Sequence, residues 1–478
     1  MRAPGGKNLL IAGGVVALIV IAAIAALLIL DVNKYKSNIE SATSDATGLE
    51  IGIHGEMGLS FFPFGVSAKD IHVAGKEGEI ISLENLKLGV ELLPLLRGQL
   101  KVTTCELIKP AVTIVKDAGG KYNFARSEKK MTKEKPGAVF SLNELKLSRG
   151  VLVYLDKKTG EKTELKGIHL AIKDLSVADI SGGILKNISF TGSLDCNVVQ
   201  RKDLKIDNLK SPIKVENGLI YLTPLAMDIF GSKGEGDVTV DLSSIDPVYK
   251  VDLKVSKLDF AKLEESFGAK KVIGGKGDLY ASLTMKGKGK HHLMSSMDGT
   301  FSLRGDNLVI YTMDLDQVLS SYETSQKFNL VDLGAFFIAG PLGTAALKGY
   351  HYGDVYYQTQ GGQGAITQFI SHWQIKDGVA DATDCALATR HNRVALKGKL
   401  DLVNERYENV IVALLGDKGC EKFKQGISGP FSSPQIGAVS AVESFAGPIF
   451  DLYRKAKRFV LGGECEVFYD GAVQQPPE

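Results

Sequence analysis

The strongest constraint on the fold is a period-two alternation of apolar and polar residues that returns in segment after segment. It is clear in "DVTVDLSS" from Asp237, "YKVDLKVSKL" from Tyr249 and "GDLYASLTMKG" from Gly277. Successive side chains of a β-strand point to opposite faces of the sheet, so each segment predicts a strand with one dry face and one wet face. The sequence therefore predicts a mainly β protein, a mostly antiparallel β body with a few helical insertions.

The dry faces of three neighbouring segments form one set, because their apolar residues recur at i, i+2 and i+4. We expect this set to line one continuous apolar trough: Val238, Val240, Leu242, Val251, Leu253, Val255, Leu279, Ala281 and Leu283. A dry face must be covered, either by a second sheet in a filled sandwich core or by acyl chains in a lipid groove. The alternation fits both and leaves both open.

An apolar run from Leu9 to Leu30 contains no charged or strongly polar side chain. About 20 apolar residues span a bilayer as a helix, whereas the apolar region of a signal peptide is shorter, roughly 7–15 residues. We therefore expect an uncleaved single-pass anchor rather than a cleaved signal. Arg2 and Lys7 precede the run, which places the N-terminus in the cytoplasm and the following chain outside.

The rest of the chain divides by pattern and composition. We expect an anchor over residues 1–30, a helix and β segment over 31–125, a charged linker over 126–139, a β body over 140–420 with a helical insertion near 315–349, and C-terminal strands with an amphipathic helix over 421–478.

The amphipathic helix is predicted from Phe445 to Val460, where apolar residues repeat at helical spacing. We expect it to close one end of the sheet. The alternative is docking on a membrane surface through its basic face, which carries Arg454, Lys455, Lys457 and Arg458.

Charge and cysteine content exclude several function classes. With 57 Lys and Arg against 55 Asp and Glu, the net charge of +2 argues against nucleic acid as a partner. None of the five cysteines forms a Cys-x-x-Cys motif, which argues against a zinc knuckle or a thioredoxin-like site. Cys420 and Cys465 flank the predicted C-terminal helix, and in an oxidising compartment we expect them to form a disulfide.

No motif for catalysis or for a cofactor emerges. His291 and His292 are adjacent without a third ligand at suitable spacing, and the other six histidines are scattered. "GGKG" at Gly274 lacks the Ser or Thr of a phosphate-binding loop, and "GISG" at Gly426 has the wrong spacing for a nucleophile elbow. We expect no catalytic residues, no cofactor and no metal site.

Four stretches in order resemble the AsmA family of bacterial envelope proteins. They are "GLEIGIHGEMGLSFFPFGVSAKDIHVAG" after the anchor, "LGVELLPLLRGQLKVTTCELIKPAVTIVKDAGGKYNF", "GLIYLTPLAMDIFGSKGEGDVTVD" through "LDFAKL", and "QIKDGVADATDCALATRHNRVALKGKLDLVNERYENVIVAL" with "ISGPFSSPQI". The resemblance implies a protein anchored in the bacterial inner membrane, a periplasmic body and a part in outer-membrane lipid homeostasis. It also implies similarity to bridge-like lipid carriers, and with it an elongated, curled antiparallel sheet that forms an apolar trough or groove.

Two hypotheses follow. In the first, the chain carries or shields phospholipid acyl chains, with phospholipid and the inner membrane as its partners. In the second, it is a non-catalytic structural or assembly factor for outer-membrane biogenesis, with a filled β core and with outer-membrane or envelope proteins as partners. An enzyme is disfavoured because no catalytic constellation is visible.

Overall fold

The structure is a computed structural model. It describes residues 32–47, 49–75, 78–91, 93–94, 99, 101–123, 140–178, 186–202, 204–266, 273–311, 314–319, 330, 337, 362–438, 440–441 and 465–476.

The described residues are mainly β, as the sequence predicts. The strands are β1 Glu50–Ile53, β2 Met57–Phe61, β3 Phe64–Gly75, β4 Gly78–Val90, β5 Val102–Ile108, β6 Ala111–Lys116, β7 Phe140–Asp156, β8 Glu161–Val177, β9 Ile188–Arg201, β10 Leu204–Glu216, β11 Leu219–Ile229, β12 Ser232–Asp241, β13 Val248–Asp259, β14 Ile273–Gly274, β15 Lys276–Lys286, β16 Asp298–Ile310, β17 Gly364–Lys376, β18 Val379–Ala388, β19 Arg393–Asp401, β20 Arg406–Leu415, β21 Glu421–Pro430, β22 Gln435–Ile436 and β23 Ser440–Ala441.

The helices are short and few among these residues. They are α1 Lys36–Thr47, α2 Phe260–Ser266 and α3 Lys290–Ser295, with 3₁₀ turns over Val32–Tyr35 and Asp417–Gly419. Residues 315–319 are also helical, within the predicted insertion. None of the described helices is long and apolar enough to cross a bilayer. The predicted anchor, residues 1–30, lies outside the described residues.

The chain divides into two compact units. Unit 1 comprises Met1–Lys202 with Lys214–Glu216, and unit 2 comprises Asp203–Ile213 with Asn217–Glu478. Unit 1 therefore contains β1–β9 and unit 2 contains β11–β23 with most of β10. The division falls beyond the predicted linker, residues 126–139, which lies outside the described residues.

The sheet of unit 1 is mixed, so the prediction of an antiparallel sheet is wrong here. β1 and β2 pair with β3, β3 with β4, β7 with β8, and β8 with β9, all antiparallel. β5 and β6 both pair antiparallel with β4 but parallel with β7. Parallel neighbours need a crossover connection of about a dozen residues or more, and residues 117–139 provide that length between β6 and β7.

Left-handed residues shift the phase of the alternation inside long strands. Arg149 in β7 has φ 57°, and the register with β8 shifts between Leu147 and Gly150. Lys257 in β13 has φ 55°, and the register with β15 shifts between Val255 and Leu258, both fully buried. An irregularity of this kind bends a strand and re-aims its side chains, so apolar residues three apart reach the same face.

Unit 2 is an antiparallel succession with a filled core. β11, β12, β13, β15, β16, β17, β18, β19, β20 and β21 pair in that order. Buried side chains from these strands form one cluster, which includes Trp373 and Tyr407. Leu315, Leu319, Leu330 and Phe337, from the predicted helical insertion, are fully buried in the same cluster.

The last described segment, residues 465–476, covers the other face of three strands of unit 2. Tyr469 and Val473 pack on a cluster of small and apolar residues: Ala386, Ala388, Ala395, Ala413 and Leu415. The Tyr469 hydroxyl donates to Asp384 Oδ1 at 2.5 Å, and Arg393 Nη1 donates to the Val473 carbonyl at 3.1 Å.

A disulfide joins Cys420 to Cys465, with the two Cα atoms 6.1 Å apart, and so ties this segment to the start of β21. The predicted helix from Phe445 to Val460 and its basic residues Arg454, Lys455, Lys457 and Arg458 lie outside the described residues.

Candidate functional site

A row of leucines crosses five strands of unit 1. The strand registers place them side by side in the order Leu86, Leu107, Leu147, Leu170 and Leu194. All five are half-buried rather than enclosed. Cross-strand neighbours share one face of a sheet, so this row marks an apolar face that runs across β4, β5, β7, β8 and β9.

A second row lies beside the first, two residues along each strand. It contains Leu88, Cys105, Leu145 and Ile172 in register. Three of these are half-buried and Ile172 is buried. We call the two rows together the leucine face: Leu86, Leu88, Cys105, Leu107, Leu145, Leu147, Leu170, Ile172 and Leu194.

Burial keeps the thiol of the leucine face neutral. Desolvation is the main cause that raises the pKa of Cys105, with a smaller contribution from the charge of Glu106. Burial likewise raises the pKa of Cys196, two residues beyond Leu194 on β9. Neutral thiols behave as small hydrophobic groups, so both suit an apolar surface.

The opposite face of the same strands is charged. Lys87, Glu106 and Lys146 alternate with the leucines and stand in register across β4, β5 and β7. Lys87 Nζ lies 3.6 Å from Glu106 Oε2, and Lys146 Nζ lies 2.9 Å from Glu144 Oε1. The sheet of unit 1 therefore has one charged, hydrated face and one apolar face.

Exposed apolar side chains stand at one end of this sheet. Phe61, Phe62 and Leu93 are 53%, 89% and 71% exposed. Gly65 pairs with Gly89, so the turn between β2 and β3 lies beside the end of β4, just before Leu93. Phe61 pairs with Phe64 at the end of the same turn.

The start of α1 is directed towards the same end of the sheet. The Asn33 side-chain amide donates to the Met57 carbonyl at 3.1 Å and accepts from the Met57 N–H at 2.9 Å. Further along α1, Glu40 Oε1 accepts the N–H of Ile53 at 2.7 Å, and Ser44 Oγ accepts that of Ile51 at 3.2 Å. α1 thus runs antiparallel to the line of β1 and β2, and its N-terminal end lies nearer the Phe61 turn.

Eight of the nine predicted trough residues lie on β12, β13 and β15, where the strand registers place them on one face, and Leu242 follows directly after β12. Val238 pairs with Val251, which pairs with Leu283, and Leu253 pairs with Ala281. Val255 and Leu279, also paired, are 0% and 2% exposed inside the filled core. The other seven, which include Val240 and Leu242, are half-buried. The predicted face thus begins within a core and becomes more exposed towards the ends of its strands.

The leucine face has a signal in the sequence, but that signal does not distinguish it from other strands. "NLKLGV", "TCELI", "NELKL", "IHLAI" and "GSLDC" all alternate and lie in these strands. Alternation alone could not rank them above the segments of unit 2.

A cleft of about 580 Å³ lies in unit 2, lined by residues of β10–β13. Its charged groups pair with one another: Lys233 Nζ lies 2.6 Å from Asp228 Oδ1, and Lys254 Nζ lies 3.4 Å from Glu235 Oε1.

The AsmA family model matches residues 1–197 and 186–385, which together cover most of the chain. The chain belongs to the AsmA family. This membership fits an envelope-associated function. A comparison with curated proteins and with solved structures finds no match.

Proposed function

We propose that this AsmA family member carries or shields the acyl chains of phospholipid on the leucine face, as an inner-membrane-anchored protein with its body in the bacterial periplasm. The observation that carries the proposal is the leucine row, which stays half-exposed across five strands. Its part in the cell would be outer-membrane lipid homeostasis and envelope integrity, without catalysis.

The chemistry of the leucine face supports acyl chains as its occupant. Removing apolar surface from water gains roughly 25 cal/mol for each Å², so a leucine row that is only half-buried favours a further apolar cover. Rows of branched aliphatic side chains, without hydrogen-bonding groups of their own, match the methylene groups of a lipid tail. The charged residues that alternate with them, such as Lys87 and Glu106, stay on the wet face.

The exposed aromatic end supports a membrane as the source of the lipid. Phe61 and Phe62 lie at the end of the sheet towards which the N-terminal end of α1 points. The predicted anchor, residues 1–30, precedes α1 in the chain. In the proposed arrangement this end meets the bilayer, and an acyl chain passes from the bilayer onto the leucine face.

A photo-crosslinking experiment tests the proposal on two neighbouring residues. A benzophenone amino acid at position 147 projects from the leucine face, and one at position 146 projects from the charged face. We expect irradiation of the full-length protein in membranes to attach phospholipid at position 147 and not at position 146. Equal labelling at the two positions, or none at position 147, would contradict acyl-chain carriage.

A second candidate function rests on the filled core of unit 2. Its strands bury their faces against each other and against the helical insertion, as a folded scaffold does. This observation favours a structural or assembly factor that binds outer-membrane or envelope proteins. In that case, mass spectrometry of the purified full-length protein would find no stoichiometric phospholipid, and crosslinks from position 147 would lead to protein.

A further inference from the structure

We propose that unit 1 binds a divalent transition-metal ion, with Zn²⁺ as the best match, through His54, Asp70 and His72. One ligand atom of each residue lies within 4.8 Å of those of the other two. Two imidazoles and one carboxylate form a donor set that Zn²⁺ commonly accepts. The sequence predicted no metal site because the two histidines are 18 positions apart and belong to no motif.

Strand pairing brings the three residues together. Gly52 of β1 pairs with His72 of β3, so His54, two residues further on, comes to the same side. The His54 N–H donates to the Asp70 carbonyl at 2.8 Å, which fixes the chain where it leaves β1. Asp70 lies two residues before His72 on β3, with a left-handed φ of 54°.

Gly52 makes room for the His54 ring. A Cβ at position 52 would lie 3.1 Å from His54 Nε2, so a larger residue would shift the imidazole by a few tenths of an ångström. Without that side chain, the rings of His54 and His72 stack with their centroids 4.7 Å apart. Gly52 thus leaves the two imidazoles room to lie side by side.

Glu79 completes an arrangement typical of zinc sites. His72 Nδ1 contacts Glu79 Oε1, while His72 Nε2 lies 2.9 Å from Asp70 Oδ1, on the side of the proposed ion. A metal-binding histidine usually bonds through its second ring nitrogen to a carboxylate, which fixes the orientation of the ring. Glu79 would hold this role and leave His72 Nε2 for the ion.

The side chains need only a small adjustment to close on an ion. With Zn–N and Zn–O distances of about 2.0–2.2 Å, tetrahedral ligand atoms lie about 3.3–3.5 Å apart. His54 and Asp70 are exposed and His72 is half-buried, so their side chains can rotate over the remaining ångström. The site lies on the face opposite the buried cluster of Ile53 and Ile71, and is thus distinct from the leucine face.

Titration calorimetry of the full-length protein in detergent, without a histidine tag, tests the site with Zn²⁺ alone. We expect one Zn²⁺ per chain. His54→Ala, Asp70→Asn and His72→Ala should each weaken binding about tenfold or more, since even an outer-shell partner is worth about 10–100-fold. Glu79→Gln, as a positioning change, should keep the stoichiometry and weaken binding. Mg²⁺, which prefers oxygen ligands in octahedral geometry, should not compete.

Two control variants keep the test specific. His169→Ala removes an exposed histidine on β8 of the same unit, and the double change His291→Ala with His292→Ala removes the adjacent pair in unit 2. Both should bind Zn²⁺ as the unchanged protein does. Circular dichroism without metal should show all variants folded.

Three outcomes would overturn the proposal. They are no Zn²⁺ binding by the unchanged protein at micromolar concentrations, unchanged binding by folded His54→Ala and His72→Ala proteins, or loss of binding in the His291 and His292 double variant alone. As an independent readout, Zn²⁺ should raise the Tm of unit 1 in the unchanged protein and not in folded His72→Ala, because an ion that binds only the native state stabilises it.

Discussion

The leucine face of unit 1 and the core of unit 2 are built from the same kind of strand but end in different states of burial. Leu147 and Leu258 both occupy apolar positions of long strands, yet Leu147 is half-buried and Leu258 is fully buried. The difference comes from what is placed over each face. In unit 2 the helical insertion and several strands meet around one cluster. In the described part of unit 1 the buried clusters are small and involve neighbouring strands.

Alternation of apolar and polar residues therefore shows which face of a strand is apolar. It does not show which segment or ligand covers that face. Tertiary packing supplies the cover in unit 2. In the described part of unit 1 the leucines of the leucine face stay half-buried, and we propose that lipid covers them. Each of the following experiments either sharpens the contrast in burial between the leucine face and the core of unit 2 or removes that contrast.

A charge placed on each face gives the largest expected difference. Leu396→Asp in unit 2, at a residue 1% exposed, buries an unpaired carboxylate, so we expect a loss of about 4 kcal/mol or more and an unfolded unit 2. Leu147→Asp should leave unit 1 folded, because its side chain can reach water, but should abolish lipid binding. Circular dichroism and lipid mass spectrometry on both variants measure the two effects.

Lys146→Asp is the matched control, since it places the same charge on the neighbouring residue of the wet face. It should leave both fold and bound lipid unchanged. Leu253→Asp, at a half-buried position of the predicted trough of unit 2, tests that face in the same way. A folded Leu253→Asp protein without lipid would extend the groove to unit 2, and an unfolded one would assign Leu253 to the core.

Truncation of a leucine in each unit measures the same contrast without a charge. Leu258→Ala should cost about 2–5 kcal/mol, because the rigid core around it leaves a cavity. Leu147→Ala should cost less, about 1 kcal/mol, since part of its surface is already exposed and less transfer free energy is lost. Urea unfolding gives both values. Equal costs would show that the leucine face is packed like a core.

Removal of the disulfide tests how much the last described segment, residues 465–476, stabilises the face of unit 2 on which it packs. Cys420→Ser with Cys465→Ser should lower the free energy of unfolding by about 2–4 kcal/mol, because the closed loop no longer restricts the unfolded chain. Cys105→Ser, on the leucine face of unit 1, serves as the thiol control and should have a smaller effect. Thermal unfolding followed by circular dichroism gives the Tm of each variant. A Tm unchanged by the double substitution would refute this expectation.

The smallest expected effect is the pH dependence of unit 1. Hydrogen bonds from Lys202 and Arg201 lower the pKa of Glu161 from 4.5 to about 2, and the Arg201 Nη2 donor lies 2.7 Å from its carboxylate. A group with a lowered folded-state pKa contributes stability above its unfolded pKa and loses it as the pH falls. We therefore expect unit 1 to lose this contribution between about pH 4.5 and 2.

Glu161→Gln should flatten that part of the stability–pH curve, while the disulfide variant of unit 2 should keep it. Solvent screening makes the effect modest, since the Glu161 side chain is 29% exposed and both of its partners are on the surface. If the stability–pH curves of Glu161→Gln and of the unchanged protein have the same shape, the ion pairs of Glu161 do not cause the loss of stability at low pH.

Much of the fold could be predicted from the sequence, because strand identity is a local property. The alternation from Asp237 to Met285 placed the trough residues on one face, and the register of β12, β13 and β15 agrees with that. The parallel pairing of β7 could not be predicted, since it depends on a connection that returns the chain to the same sheet edge. The cluster of His54, Asp70 and His72 was also hidden, because strand register and the absence of a side chain at Gly52 bring it together.

By itself, the sequence determined the class of the protein, its family and the existence of dry strand faces, because these depend on residue order along short segments. Only the tertiary structure decided which dry face is enclosed in a core and which stays half-buried among the described residues. Leu258 is enclosed because distant segments, including residues 315–319, Leu330 and Phe337, converge on its cluster. Burial depends on contacts between residues far apart in the chain, and a local pattern of apolar and polar residues does not contain them.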